Sequence, residues 1–494
     1  MFYIKHNGIK TIKKKLIIVL VRFHIICFWI ILNGCSDHLS QVERIKSRGT
    51  LKVALIASPP LYFPDESLIK GYDYEIISNY AQSIRTNLNI TRANTISDII
   101  TQLKQGKVHI GIAGNSPIST DDKIQGTLPY EEDEWHVIGN RKNILPKSIH
   151  NIKPSTVIVA KGSTAALVMS QLKFKHPSLF WLELPNANNR KVLEQVNLNN
   201  FKLSVINANV YKYYQYLYPE IQIAFTLKEN YTSHWLTYKN SDASLPSSIN
   251  GFIDRYKKSG QLEQHHNTYY RHLNVFDYID SIYYLRLIKE RLPQFSPYFK
   301  KAAIDNAFDE RFLAAISYQE SHWNDKARSH TGVRGLMMLT LNTAKRVGVK
   351  DRLDPQQSVM GGAKYLNILK ASLPERIQEP DRSWMTLAAY NLGFGHLQDV
   401  RILTKSLGDN PDLWVDVEKH LPKKSLKKWY KNTKYGYARG HEPVEFVRRI
   451  RRYYDILRLY QQEEILEKFD KDFELEKLNR GLKLEKFYVT SPVL

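Results

Sequence analysis

The strongest constraint on the fold of this chain is a change in hydrophobic periodicity near residue 271. Before it, short apolar runs such as residues 50–57, 108–113 and 156–160 alternate with helical spacing, for example over residues 74–88. After it, from residue 298 to 460, helical spacing continues with few breaks. Strands that alternate with helices predict a sheet of largely parallel strands. The sequence therefore predicts an α/β module followed by an all-α domain.

The length of the chain and its cysteine count limit the number of domains and the kinds of site that it can contain. The chain has 494 residues, enough for about three domains of ordinary size. Its two cysteines, Cys27 and Cys35, both lie near the N-terminus, which excludes a disulfide framework or a cysteine zinc site downstream. No HExxH or comparable ligand spacing occurs, so we expect neither a metal nor an organic cofactor. His265, His266 and His330 are expected to lie on the surface.

Residues 1–35 are typical of an export signal. Four lysines between residues 10 and 15 precede an apolar run over residues 16–32, which ends at Leu32-Asn33-Gly34-Cys35. This ending resembles a bacterial lipoprotein signal, which implies lipidation of Cys35, and Ser36 resembles the class sorted to the outer membrane. An uncleaved N-terminal anchor remains the alternative. Export argues against nucleic acid as the partner of a chain with net charge +22 and favours acidic cell-wall polymer or anionic lipid.

Three segments of the first half carry a family resemblance. They are GYDYE at residues 71–75, the glycine-bounded segment at 106–111 and LPY at 128–130. In this order they resemble the periplasmic solute-binding proteins of the amino-acid type, which implies two lobes around a ligand. No arginine stands between Ser116 and Tyr130 to grip an α-carboxylate, and Asn207 replaces an expected acidic residue. We expect a muropeptide or stem peptide as ligand, with a purely structural module as the alternative.

A helical segment at residues 309–323 carries the first catalytic candidate. Phe312, Leu313 and Ile316 form an apolar stripe, and its continuation by steps of three and four reaches Glu320. A carboxyl group on the core side of a helix has a raised pKa, which suits a general acid. The alternative is that Glu320 pairs with a nearby arginine such as Arg334.

A second polar residue is expected to point inward further along the chain. Trp384, Leu387 and Asn391 share one helix face by the same spacing, just before Gly393. An amide so placed could contact a substrate. The alternative is that Asn391 only caps the helix end.

Four segments of the helical half resemble an enzyme family. Glu320-Ser321, GLMM at 335–338, AYN at 389–391 and GYARGHE at 436–442 resemble, in order, the signature segments of lytic murein transglycosylases with the goose-lysozyme-like fold. Together with the solute-binding-like half they point to the membrane-bound F branch. Two positions depart from the broader pattern, Met338 for a common Gln and Phe446 for a common Tyr. The resemblance implies Glu320 as the catalytic residue and the following substrate-binding residues: Ser321, Met337, Met338, Tyr390, Asn391 and Tyr437.

One carboxylate fits the chemistry that this family performs. A glycosidase that adds water normally uses two carboxyl groups, whereas a single glutamate suffices if the sugar supplies its own nucleophile. The expected reaction cleaves the β-1,4 bond between N-acetylmuramic acid and N-acetylglucosamine in peptidoglycan glycan strands and leaves a 1,6-anhydromuramoyl end. Two alternatives remain open, a muramidase that uses water and a non-catalytic solute-binding or sensor protein.

The sequence also divides the chain into five parts. We predict a signal segment (1–35), a regulatory module (36–270), a connector (271–298), a catalytic domain (299–460) and a charged tail (461–494). Residues 421–462 hold twelve Lys or Arg against three acidic residues. Such a segment forms either a basic face for the acidic polymer or a merely solvated helix. The expected location is the periplasmic face of the outer membrane.

Overall fold

The computed structural model describes residues 39–56, 70–115, 121–154, 156–229, 231–273 and 277–479, with side chains to residue 461 except that of Asn115. The predicted signal segment, including Cys35, lies outside the described residues. So does the end of the charged tail, from residue 480.

A six-stranded sheet forms the first lobe. Its strands run in the order β2-β1-β3-β11-β4, and β5 pairs with β11. The strands are β1 (Thr50–Ile56), β2 (Asn87–Ala93), β3 (Ile110–Asn115), β4 (Ile124–Gly126), β5 (Glu131–Asp133) and β11 (Tyr231–Tyr238). Helices accompany the sheet: α1 (Gln41–Ser47), α2 (Tyr72–Ser83), α3 (Ile96–Lys104) and α7 (Ser244–Lys258). Val53 of β1 lies opposite Ile90 and Ile110 of its two parallel neighbours, which places an apolar row at the centre of the lobe.

A five-stranded sheet forms the second lobe, in the order β10-β6-β9-β7-β8. The strands are β6 (Trp135–Asn140), β7 (Val157–Ala160), β8 (Trp181–Leu184), β9 (Leu203–Asn207) and β10 (Ile221–Thr226). The accompanying helices are α4 (Thr164–Lys175), α5 (Asn189–Asn197) and α6 (Ala208–Tyr214). The Ser163 hydroxyl caps α4 by accepting a hydrogen bond from the Ala166 amide at 3.2 Å.

The chain crosses between the lobes from β5 to β6, and it returns between β10 and β11. β11 runs antiparallel to β3, β4 and β5, while β6 runs antiparallel to β9 and β10. The remaining pairs, β1 with β2 and β3, and β7 with β8 and β9, are parallel. The two-lobed α/β class is confirmed, and each sheet is mixed because the strands next to the crossings run against the others.

The helix predicted over residues 74–88 ends earlier than expected. The helical spacing over residues 74–88 predicts a helix of that length, but α2 ends at Ser83 and β2 begins at Asn87. Arg85 between them has a φ of 59°, a left-handed conformation that a helix cannot continue through. The residues of β2 pair with β1 along its full length, which favours the strand.

The second half of the chain is helical in the part that the structure describes, as predicted. Its helices are α8 (Gln261–Tyr270), α9 (Tyr278–Glu290), α10 (Leu292–Asn306), α11 (Glu310–Ser321), α12 (Leu341–Val347), α13 (Pro355–Ala371), α14 (Asp381–Leu392), α15 (Phe394–Ser406), α16 (Trp414–His420), α17 (Lys427–Tyr430) and α18 (His441–Asn479). Short 3₁₀ turns stand at Arg271–Leu273 and Leu421–Ser425. Among the described helices none is long and apolar enough to cross a membrane.

Most of the segment predicted as a connector forms helices of this domain. Residues 278–298 lie in α9 and the start of α10, and Pro297 stands within α10. Tyr284, Phe295 and Phe299 are buried in the same apolar cluster as α11. These helices therefore support the core beneath α11.

Helix α18 joins the two halves. It packs on α11 and α14 and also reaches the turn Arg271–Leu273. There His272 Nε2 lies 2.7 Å from the Asp455 carboxylate, and the Tyr284 hydroxyl donates to the Tyr453 carbonyl at 3.1 Å. Both pairs are buried, so α18 is held on two sides.

Much of the predicted basic face is not exposed. Arg451, Arg452 and Arg458 of α18 are buried, and Lys424 is fully buried with its ammonium 2.7 Å from Asp399. These cations are part of the protein interior and do not contribute to an exposed basic face. The exposed basic residues of this region lie mainly between residues 427 and 439.

Candidate active site

Glu320 lies in the last turn of helix α11. Asp309 caps the start of the helix by accepting a hydrogen bond from the Arg311 amide at 2.9 Å. Phe312 and Leu313 are buried in the core. The helix ends at Ser321, and His322 adopts a left-handed φ of 50°. Because the apolar stripe fixes the rotation of the helix, Glu320 lies on the core side, where part of its surface still reaches solvent.

The carboxyl group of Glu320 has no counter-ion among the described residues. Neither a hydrogen bond nor an ion pair holds it there, and Arg334, the alternative partner, is exposed. Desolvation is the one cause that raises the pKa of Glu320, from 4.5 to about 8. At neutral pH this group is therefore mostly protonated, as a general acid must be.

Ser321 anchors the loop that faces Glu320. Its hydroxyl lies 3.0 Å from the Leu336 carbonyl and 3.0 Å from the Ser317 carbonyl, and either oxygen can accept its hydrogen bond. The Ser317 hydroxyl donates to the same Leu336 carbonyl at 3.1 Å. Two hydroxyls thus fix the main chain of the 335–338 loop against the last turns of α11.

Gly335 permits this loop to approach its neighbours. Its φ is +80°, which disfavours any side chain. A Cβ atom added there would lie 1.7 Å from the Arg352 carbonyl oxygen. The glycine of the GLMM segment is therefore required by backbone conformation and by space.

Tyr390 closes the other side of the site. Its hydroxyl donates a hydrogen bond to the Met337 carbonyl at 2.7 Å. Burial raises the pKa of Tyr390 well above its usual value, and the negative charge of Glu320 adds to this, so the two groups lie close together. The ring of Phe446 stacks on Tyr390, with centroids 6.4 Å apart and an 8° angle between planes. Helices α11, α14 and α18 therefore meet at Glu320 and Tyr390.

The other predicted site residues are placed differently. The side chain of Met337 is fully buried against Gly362, so only its main chain takes part in the site. Met338 is half-buried with a φ of 43°. Asn391 was expected to point inward with Trp384 and Leu387, but it is exposed. Asn391 still lies within α14, which ends at Leu392, so its exposure means that other residues leave this end of the helix face largely uncovered.

Tyr437 lies in an exposed aromatic region. It is 56% exposed and packs edge-on against Tyr430, with ring centroids 5.6 Å apart. No described contact joins it to Glu320. The neighbouring Tyr435 covers Gly395 in the first turn of α15, so this loop borders the helix that follows α14.

Three supporting residues were missed by sequence reasoning. The Ser358 hydroxyl, fully buried, accepts a hydrogen bond from the Met337 amide at 3.2 Å. Tyr365 packs on Tyr390 with centroids 5.7 Å apart, and the Trp323 indole donates to the Ala314 carbonyl at 2.9 Å. Ser358 and Tyr365 stand at i and i+7 of α13, a spacing that could have indicated a shared face. No described cluster of His, Cys, Asp or Glu could hold a metal ion.

Comparison with known proteins agrees with this arrangement. Residues 297–412 match the model of the Transglycosylase SLT domain, and residues 51–272 match that of Bacterial extracellular solute-binding proteins, family 3. The chain is 39% identical over 432 residues to membrane-bound lytic murein transglycosylase F of Pseudomonas fluorescens, which covers 87% of this chain and 89% of the relative. The chain belongs to the membrane-bound lytic murein transglycosylase F family.

A second transglycosylase F relative, from Pseudomonas putida, is 38% identical over 431 residues and covers 87% of this chain and 89% of its own length. Among solved structures, the cysteine-binding protein from Campylobacter jejuni is similar to the first half, with 15% identity and a TM-score of 0.43. It covers 49% of this chain and 98% of its own. Along this chain the solute-binding match precedes the SLT match.

Proposed function

We propose that Glu320 is the single acid and base of this lytic transglycosylase, which acts on the glycan strands of peptidoglycan. The observation that carries the proposal is an unpaired, desolvated carboxyl group beside Tyr390. No second carboxyl group contributes to the raised pKa of Glu320. Membership of the transglycosylase F family favours the transglycosylase over the muramidase.

The reaction balances without water. Protonated Glu320 gives its proton to the β-1,4 glycosidic oxygen as the bond from the muramoyl C1 breaks. The carboxylate then accepts the proton of the muramoyl 6-hydroxyl while that oxygen forms a bond to C1. The products are a 1,6-anhydromuramoyl end and a free N-acetylglucosamine hydroxyl, and Glu320 returns to its protonated form.

The neighbouring groups would orient the substrate. The Tyr390 hydroxyl already donates to the Met337 carbonyl, which leaves its lone pairs and ring face for the sugar. Ser321 would act through the loop that it anchors, and Asn391, being exposed, is available for the N-acetyl group. Met338 and Tyr437 would contact the glycan with their partly exposed side chains, while Met337 would contribute its main chain.

The anchor, the regulatory module and the domain boundary complete the proposal. Cys35 would carry lipid and hold the enzyme at the periplasmic face of the outer membrane, and the curated relatives are named membrane-bound. We place the regulatory module at residues 36–270, and we propose that a muropeptide or stem peptide binds it. Because α9 packs in the helical core, the catalytic unit would begin at its start, Tyr278, rather than at residue 299.

Mass analysis of products from purified sacculi tests the enzyme. We expect anhydro-muropeptides, lighter by one water than hydrolytic products. Glu320→Gln should reduce turnover by about 10⁴-fold or more. Proton transfer typically contributes about 10²–10⁴-fold, and here one group serves both transfers. Glu375→Gln, an exposed carboxyl of the same domain, is the matched control and should keep full activity. Hydrolytic products would establish the muramidase instead, and no products would favour the sensor protein.

A labelling experiment tests the anchor. Cells that express the chain with Cys35→Ser should incorporate no fatty acid into it and should release it from the membrane fraction. If the variant is still cleaved and membrane-bound, the uncleaved anchor replaces the lipoprotein.

A further inference from the structure

A short antiparallel ribbon, residues 327–335, follows helix α11 in the chain. Arg328 and Arg334 lie directly opposite each other in it. Backbone hydrogen bonds from the Ser329 amide, at 3.1 Å, and from the Gly335 amide, at 3.0 Å, stand on either side of the two arginines. In a pair of this kind the side chains leave the same face of the ribbon, with Cβ atoms roughly 4.5–5.5 Å apart. The two arginines are therefore neighbours by backbone geometry.

Two like charges so placed repel each other and destabilise the ribbon unless an anion balances them. Both arginines are exposed, and neither side chain forms a hydrogen bond or an ion pair with a described residue. No acidic residue occurs between Asp325 and Asp351, whereas six lysines or arginines do. His330, in the turn between the arginines, is exposed as predicted, while His265 and His266, also predicted at the surface, are half-buried in α8. The segment that carries the pair therefore supplies no counter-ion for it.

A third arginine already holds the ribbon in place. Arg352 Nη1 donates to the Gly332 carbonyl at 2.8 Å and to the Leu339 carbonyl at 2.9 Å. It thus ties the turn of the ribbon to the segment that follows. The ribbon is fixed without the guanidinium groups of the opposed pair, which are left for a ligand.

The ribbon adjoins the catalytic carboxyl group. Arg334 directly precedes Gly335, the first residue of the loop that the Ser321 hydroxyl fixes to the last turn of α11. Glu320 stands in that same turn. A glycan strand that reaches Glu320 would therefore bring the groups that it carries close to the ribbon.

A guanidinium group fits a carboxylate because its N–H donors can form two parallel hydrogen bonds to the two oxygens. Peptidoglycan offers carboxylates on its stem peptides, and on the lactyl group of muramoyl residues that have lost their peptide. Two arginines on one face can hold one carboxylate between them. The bound anion would then offset their mutual repulsion.

We propose that Arg328 and Arg334 together bind a carboxylate of the peptidoglycan substrate, from a stem peptide or from a free lactyl group. This inference rests on the proposed function and adds a part of the substrate that lies outside the scissile bond. The contact is the same before and during bond cleavage. It therefore contributes to substrate binding and not to the chemical step.

Kinetics on four forms of soluble glycan strands test the site, with the full chain in detergent. The first form carries stem peptides, and the second is the same material with its carboxyl groups converted to methylamides. The third form has lost its peptides and keeps the lactyl carboxylates, and the fourth is its methylamide. Mass analysis of the anhydromuramoyl ends that are formed gives KM and kcat for each.

Methylamidation of the peptide-bearing strands should raise KM about 5- to 30-fold and leave kcat within about twofold. Such a rise for the peptide-free strands alone would identify the lactyl carboxylate as the bound group. A rise for both would show that either carboxylate can bind.

Two variants localise the contact. Arg328→Gln and Arg334→Gln should each raise KM for the unmodified strands about 3- to 10-fold, and the double variant should no longer distinguish them from the methylamides. Lys300→Gln, which removes one exposed positive charge from α10, is the control and should change neither KM nor the distinction. Arg328→Gln should not lower the melting temperature, because it removes a like charge and no internal hydrogen bond.

Three results would overturn the proposal. These are equal KM for the unmodified strands and their methylamides in both pairs, equal KM for the double variant and Lys300→Gln, and a melting temperature that Arg328→Gln lowers by more than about 2 °C, which would reveal an internal partner. If this proposal alone fails, anhydromuramoyl ends still form from the unmodified strands. If the proposed function fails, they form from none of the substrates.

Discussion

Replacing Glu320 by Gln should stabilise the catalytic domain relative to the unaltered chain, and this gain should grow as the pH rises. Glu320 has a pKa of about 8 in the folded chain, against the ordinary glutamate value of 4.5 in the unfolded chain. Between those values the unfolded chain releases this proton and the folded chain keeps it, so the folded state loses stability with rising pH. Each pH unit corresponds to about 1.4 kcal/mol, which gives an upper figure of about 3 kcal/mol at pH 7 and about 5 kcal/mol above pH 8.

Glutamine removes this loss because its amide does not ionise and has nearly the same volume. Urea denaturation of both proteins at pH 4.5, 6, 7 and 8.5 measures the effect. The gain in unfolding free energy should be near zero at the lowest pH and should grow to a plateau above pH 8. Glu375→Gln provides the control, and its difference from the unaltered chain should not change with pH. If the gain from Glu320→Gln is the same at all four pH values, the pKa of Glu320 is not raised by desolvation. Its assignment as the general acid would then lose its support.

Three further outcomes follow from the site. Turnover on sacculi should fall tenfold per pH unit above about pH 8, where Glu320 loses its proton, and a decline that begins near pH 5 would contradict this assignment. Tyr390→Phe should lower turnover about 10-fold with the fold intact, because it removes the hydrogen bond to Met337; unchanged kinetics would deny it a positioning role. Gly335→Ala should destabilise the domain by at least about 2 kcal/mol in a thermal melt, since its Cβ meets Arg352; a loss under 0.5 kcal/mol, about the limit for surface changes, would show that the loop moves freely.

Periodicity was a reliable guide where one face of an element is buried. It predicted β1 and β7 closely, and it predicted Glu320 on the core side of α11, because the apolar stripe fixes the rotation of a helix. It failed at the start of β2, where Asn87 and Leu88 continue the helical spacing of the preceding segment but pair with β1. It failed also for Asn391, which lies within α14 but is exposed, because helical spacing does not show whether another element covers that part of the face.

The sequence alone determined the two-part architecture, the order of the family's segments and the position of Glu320 on the core side of its helix, since these depend on residue spacing along one chain. Only the tertiary structure decided which groups surround that carboxyl. Tyr390, Phe446 and Ser358 come from three other helices, and their approach to α11 depends on packing between elements far apart in sequence. The same holds for the space between the two lobes of the first module, which Glu131 and Tyr270 line because the chain crosses twice between the lobes. Spacing determines which face a residue occupies, whereas packing determines what that face meets.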